Sequence, residues 1–210
     1  MDADARLVNN FFLHGNRVQR LLTVGYSYNI LSCSARQLRT VISATYLHCI
    51  TLELYTAMPQ LKPSAPFLIG LDIGGTKLAV VVADQKGMIL HKVRRPTEPM
   101  RGPDAIIGSL CEMAREVMGL SGVSVGDIAG IGVSCGGPLD TATGIVYSPP
   151  NLPGWDGIPL KSRLENALSC AACVENDANA GALAEWMFGA GRGYKHVVFV
   201  TMSTGIGAGL

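Results

Sequence analysis

The chain has 210 residues, 48% of them apolar, and a formal net charge of +1. That is enough apolar material for one buried core or two small ones, and the near-zero charge leaves no field to hold nucleic acid or a lipid surface. Residues 2–6 carry two Asp and one Arg, which argues against a secretory leader, so Cys33, Cys49, Cys111, Cys135, Cys170 and Cys173 are expected as reduced thiols in a cytoplasmic protein.

Residues 1–58 differ from the rest. They hold five Arg and no Lys, and neither a helical nor a strand period persists. Segment 41–58 leans apolar, but His48 and Glu53 interrupt it and it is rich in Thr and Tyr, so it is not read as a membrane span. Residues 59–66, with Pro59, Pro63 and Pro66, read as a joint. Met58 stands just before it. The expectation is that translation begins there and that 1–57 are a mis-called extension; peptides from 7–57 in native protein would refute this.

After the joint, Phe67 to Asp84 reads as two apolar strands around Gly74-Gly75, a pair able to take the positive φ of a two-residue hairpin. A third strand is predicted over 88–95. Segment 103–118 repeats its apolar residues at helical spacing, with Asp104 in the first turn and Gly119 as C-cap. A strand over 128–134 runs into Gly136-Gly-Pro138. Residues 145–158 read as a loop with three prolines and Trp155, a packing anchor rather than a platform for a ligand. A helix over 160–167, a strand over 171–175 and a helix over 177–188 follow, the last with Asp177 as N-cap and Gly189 past its end. A strand over 196–202 and a glycine-rich turn close the chain. The order predicts an α/β fold with a mixed sheet. Strand then Thr-Gly-x-Gly repeats the opening pattern, a hint of duplication.

Several motifs bear on chemistry. Gly70 to Lys77 has P-loop glycine spacing, but Thr76 precedes Lys77 and a strand follows, so it is no P-loop. A hairpin tip of Gly74, Gly75, Thr76 and Lys77 still gathers backbone N–H groups, a hydroxyl and an ammonium, which suits a phosphate. Asp72 is placed to orient Mg²⁺ or its water. Cys170 and Cys173 form a lone CxxC without a second pair of ligands, so no metal site is assigned. Neither Gly130-x-Gly132 nor Gly205-x-Gly207-x-Gly209 has dinucleotide-binding spacing.

Four motifs in order resemble the ROK family of sugar kinases and repressors, within the hexokinase/actin-like ATPase superfamily. They are Asp72-Ile-Gly-Gly-Thr-Lys77; Gly132-Val-Ser-Cys-Gly-Gly-Pro-Leu-Asp140 with Ser148-Pro-Pro-Asn-Leu-Pro-Gly-Trp155; Glu175-Asn-Asp-Ala-Asn-Ala180; and Thr204-Gly-Ile-Gly207. The resemblance runs from Phe67 to Leu210. It implies a ribonuclease H-like lobe with a mixed five-stranded sheet over 67–190, and the first strand of a truncated second lobe over 191–210. It implies transfer of the γ-phosphoryl of ATP, with Mg²⁺, to a hexose or amino-hexose. By the same resemblance Asp177 is the general base. Asp72, Gly74, Gly75, Thr76, Lys77, Thr204, Gly205 and Gly207 serve the phosphates, and Gly137, Asn151 and Asn176 serve the sugar. An Asp at a helix N-terminus is expected to stay ionised. Other implied features are a sugar and ATP as small-molecule partners, no nucleic-acid or membrane partner, and a homodimer. The alternatives are a sugar-responsive repressor and a non-functional truncated product.

The chain departs from the pattern at Ser203 and Ala208, where the family commonly has glycine. No His follows His196 and no Cys follows Cys173, so the family's zinc cluster is absent. The last strand is expected to lack sheet partners, giving a sticky edge, poor solubility and feeble activity.

Overall fold

The fold is a computed structural model and describes residues 8–14, 17–23, 64–202 and 206–209. Two strands, β1 (Val8–His14) and β2 (Arg17–Thr23), come first. Then follow β3 (Phe67–Ile73), β4 (Lys77–Asp84), β5 (Ile89–Pro96) and helix α1 (Gly102–Ser121). Next are β6 (Ile128–Cys135), the short β7 (Leu139–Asp140), β8 (Ile145–Tyr147) and β9 (Asp156–Pro159), and α2 (Leu160–Leu168). The chain continues through β10 (Ala172–Asn176), α3 (Asp177–Phe188), β11 (His196–Met202) and β12 (Ile206–Gly209).

The central sheet has the order β10-β6-β3-β4-β5. Its β3, β6 and β10 pair in parallel, while β4 runs antiparallel between β3 and β5, so the sheet is mixed as the sequence predicts. β3, β4 and β6 are almost wholly apolar because both faces of the sheet are covered. On one face α1 lays down Ile106, Leu110, Met113 and Val117, each essentially without exposure, against Leu78, Val80 and Val82. A side chain of that size contributes roughly 1.5–3 kcal/mol when fully buried. Trp155 is fully buried in the same core, the anchor the sequence suggests.

The other face carries smaller and polar residues. Glu175, Ser134, Asp72, Ala79 and Arg94 stand in register across the five strands. α3 packs beside this end of the sheet and also against β11 and β12. Parallel strands that end together beside a helix N-terminus leave a crevice at their carboxyl ends, where α/β folds place ligands.

Four expectations need correction. Helix α1 runs past Gly119 and is capped by Gly122, whose φ of 65° is the left-handed value a C-cap takes. The 145–158 loop contains β8 and the start of β9; β8 pairs with β7 on one side and with β9 on the other in a small three-stranded sheet. The 206–209 segment is a strand, not a turn. And β11 is no bare edge: β12 pairs with one side and β1 with the other, in a sheet of order β12-β11-β1-β2. The argument for aggregation through that edge therefore falls. Segment 41–58 lies outside the described residues; among those described, no helix is long and apolar enough to cross a membrane.

Candidate active site

One cleft of about 710 Å³ opens at the carboxyl ends of β3, β6 and β10. Its walls bring together Gly74, Gly75, Thr76, Gly137, Asn151, Asn176, Asp177 and Gly207. These come from all four motifs that the sequence separates by more than a hundred residues. Asp72 and Lys77 flank the first turn but do not line the cleft. Thr204 and Gly205 lie outside the described residues.

The first turn is built differently from the sequence expectation. The Gly74 N–H donates to the Lys77 carbonyl at 3.0 Å, closing a hairpin around Gly75 and Thr76. Yet neither Gly74 nor Gly75 takes the left-handed φ that a glycine pair usually supplies. Glycine is needed at 75 for close approach instead. A Cβ there would lie 2.5 Å from Cβ of Asn151. The first turn and the Asn151 loop thus touch through the missing side chain. Gly137 has a similar role, since a Cβ there would lie 3.1 Å from Asn176 Nδ2.

Helix α3 supplies the next wall. The sequence expectation places Asp177 at its N-cap, but Asn176 holds that position, with φ −61° and ψ 140°. Asn176 Oδ1 accepts from the N–H of Ala178 at 3.0 Å and of Asn179 at 3.4 Å. Its oxygen is spent on the helix, so the Nδ2 group beside Gly137 is what it offers the cleft. Glu175 Oε1 accepts from the Asn176 N–H at 2.8 Å and from Asn179 Nδ2 at 3.1 Å, fixing the segment further. Asp177 is the first helical residue, exposed to the cleft, and accepts from the Ala178 N–H at 2.9 Å.

The electrostatics at Asp177 run against the helix dipole. A helix N-terminus should hold Asp177 below the usual carboxylate range. Its pKa is raised instead, because the surrounding protein removes water from the charge and this outweighs the backbone hydrogen bonds. Asp72 is pushed up to about 6, first by burial and then by the negative charge of Asp177, against Lys92, Arg94 and a hydrogen bond from Ser134. Cys135, buried beside both carboxylates, is pushed up to about 12 and stays a thiol, not a nucleophile. Cys173 is disulfide-bonded, so the expectation of reduced thiols fails there.

The second hairpin rests on α3 by steric fit. A Cβ on Gly209 would lie 2.2 Å from the Ala178 carbonyl oxygen, and one on Gly181 would lie 2.6 Å from the Phe199 ring. Gly207 and Ala208 face the cleft from β12, with Thr201 from β11. Sequence reasoning missed Thr201, a hydroxyl in an apolar strand just ahead of the glycine turn. It also missed Thr97, which is buried behind the first turn and hydrogen-bonded to it.

Comparison with known proteins agrees with this layout. Residues 68–210 match the model of the ROK family. A glucokinase of Thermotoga maritima is 40% identical over 154 residues, covering 73% of this chain and 45% of the relative. The xylose repressor of Bacillus subtilis is 30% identical over 146 residues, covering 70% and 37%. Among solved structures, a ROK family glucokinase from Streptomyces griseus in complex with glucose and AMPPNP superposes with a TM-score of 0.61 at 34% identity, covering 68% of this chain and 43% of that one. The chain spans less than half the length of the curated relatives it matches. Its sheet is that of the actin-like, ribonuclease H-like lobe those sugar kinases share. With the family model matching most of the chain and the four motifs meeting in one cleft, the chain belongs to the ROK family.

Proposed function

We propose that this chain carries the sugar site, the catalytic base and the phosphate turns of an ATP-dependent carbohydrate kinase acting on a hexose or amino-hexose. The observation that carries this reading is the single cleft shared by Gly74–Thr76, Gly137, Asn151, Asn176, Asp177 and Gly207. The glucose and ATP analogue held by the Streptomyces griseus relative support the same substrates here.

In this reading Asn151, Asn176 Nδ2 and the Gly137 backbone orient the sugar. Asp177 accepts the proton of the attacking hydroxyl as its oxygen bonds the γ-phosphorus, and the bond from that phosphorus to the departing ADP oxygen breaks. A carboxylate whose pKa is raised takes that proton more readily than an ordinary Asp. The turn at Gly74, Gly75, Thr76 and Lys77 holds the phosphates from one side and Gly207 from the other, with Thr204 and Gly205 assigned to the phosphates by the family motif alone. Asp72, at the end of β3 behind the first turn, is the carboxylate that would orient Mg²⁺ or its water beside the phosphates. Bound there, Mg²⁺ would offset phosphate charge.

Residues 67–190 are then the first lobe, after the 59–66 joint, and 191–210 open a second; a homodimer in the cytoplasm belongs to the same reading. Titrating thiols in denatured, unreduced native protein decides: six support the cytoplasm and fewer contradict it. The match to a xylose repressor favours a second reading, a sugar-responsive regulator. ADP release is measured with Mg-ATP and a panel of hexoses, for the wild type and Asp177→Asn. The kinase reading expects sugar-dependent ADP release that falls roughly 10²–10⁴-fold in the variant. No sugar-dependent release, with salt-sensitive retention on DNA, would move the function to the regulator.

A further inference from the structure

Thr97 follows β5 directly and is 3% exposed. Its hydroxyl donates to the Gly74 carbonyl at 2.6 Å, and its N–H donates to the Thr76 carbonyl at 3.1 Å. One residue therefore grips both shoulders of the first turn. Thr97 lines the groove behind that turn, while Gly74, Gly75 and Thr76 line the cleft in front. A peptide unit is planar and trans, so its C=O and N–H point in opposite directions. Holding the Gly74 carbonyl back toward Thr97 turns the Gly75 N–H forward.

From this geometry we infer that Thr97 is a positioning residue: it aims the Gly75 backbone donor of the first turn at the phosphates of the nucleotide, without touching the nucleotide itself. The inference rests on the kinase reading for the ligand and on geometry for the aim. The hydroxyl bond matters more than the backbone bond, because it reaches the carbonyl next to Gly75. Valine keeps the β-branched shape and loses that donor, whereas serine keeps the donor.

The test compares wild type, Thr97→Val and Thr97→Ser in the full 210-residue chain. Amide hydrogen exchange and chemical shift at Gly75 report the turn. Titration with Mg-ADP and, separately, with glucose reports the two halves of the cleft. Thr97→Val is expected to speed exchange at Gly75 and to weaken Mg-ADP binding about tenfold, the worth of one well-placed hydrogen bond, with glucose affinity unchanged within about twofold. Thr97→Ser is expected to restore both. Equal losses for ADP and glucose, or a Gly75 amide unchanged in Thr97→Val, would overturn the assignment. Should Thr97→Val fail to fold, Thr97→Ser decides: a Gly75 signal like that of wild type supports the hydroxyl clamp, and a shifted one contradicts it. If the wild type binds no Mg-ADP, the kinase reading fails, and so does the nucleotide aim of Thr97. The exchange comparison then still shows whether Thr97 holds the turn.

Discussion

Two glycine hairpins face the same cleft and are held in opposite ways. The first, β3–β4, is woven into the central sheet, and its tip is tied by hydrogen bonds from Thr97 and by contact with Asn151. The second, β11–β12, belongs to another sheet and sits on α3 through contacts that only glycine allows at 181 and 209. A tip fixed by directional bonds keeps its donors aimed. A hairpin fixed by shape keeps its distance from α3. The pair implies that damage to the first should appear in phosphate binding, and damage to the second in stability and in the placement of Asp177.

The largest stability effect is expected at Gly209. In Gly209→Ala the new methyl meets a backbone oxygen of α3, which cannot rotate away, so a loss on the order of 2–3 kcal/mol is expected in a urea melt of the whole chain. A loss below a few tenths would mean the hairpin does not depend on that contact.

Asp72 sharpens the contrast on the first hairpin. Its carboxyl titrates near 6 in the folded chain, against 3.8 when free. Between those values the folded protein keeps a proton that the unfolded chain has released. Stability from this group is complete below about pH 4 and is lost as pH rises through about 6. Asp72→Asn removes the penalty, so the variant should be more stable than wild type by on the order of 2 kcal/mol at about pH 7.5, the gap closing toward about pH 4. A variant less stable at the higher pH would show that the carboxylate is welcomed rather than strained. Such a carboxylate, kept at a cost in stability, is what a functional site retains.

The smallest stability effect is expected at Gly75. In Gly75→Ala the methyl meets the Cβ of Asn151, an exposed loop residue. A cost on the order of 1 kcal/mol is expected, with glucose and Mg-ADP affinities both reduced because the two loops part. Loss of ADP binding alone would mean that Asn151 does not serve the sugar.

Much of this was legible because strong local patterns coincide with long-range needs. The bounds of β11 and α3 follow directly from apolar runs and their caps. The Gly74-Gly75 pair was visible as a turn, but its reason was not. A glycine kept for φ and one kept for a contact look alike until Asn151, far along the chain, is brought beside it. Asn176 and Asp177 are neighbours that both make good caps, and only the backbone angles decide between them. β12, Ile206–Gly209, holds two glycines and has little strand propensity of its own; the edge of β11 recruits it. β7 and β8 are too short for a period to show. For β1 and β2 a signal was present, since Gly15-Asn16 between two mixed runs is a hairpin loop sequence. The grip of Thr97 on the tip exists only once β5 has folded back along β4.

The central claim is that one cleft holds sugar and phosphates between the two hairpins, with Asp177 at the join. Its most direct test is a magnetic resonance titration of the 210-residue chain with glucose and then with a non-hydrolysable ATP analogue and Mg²⁺. The account predicts that glucose moves the side-chain amides of Asn151 and Asn176, and that the nucleotide then moves the backbone amides of Gly75 and Gly207 together. Shifts confined to residues outside the cleft, or none at Gly75 and Gly207 at saturating nucleotide, would contradict it.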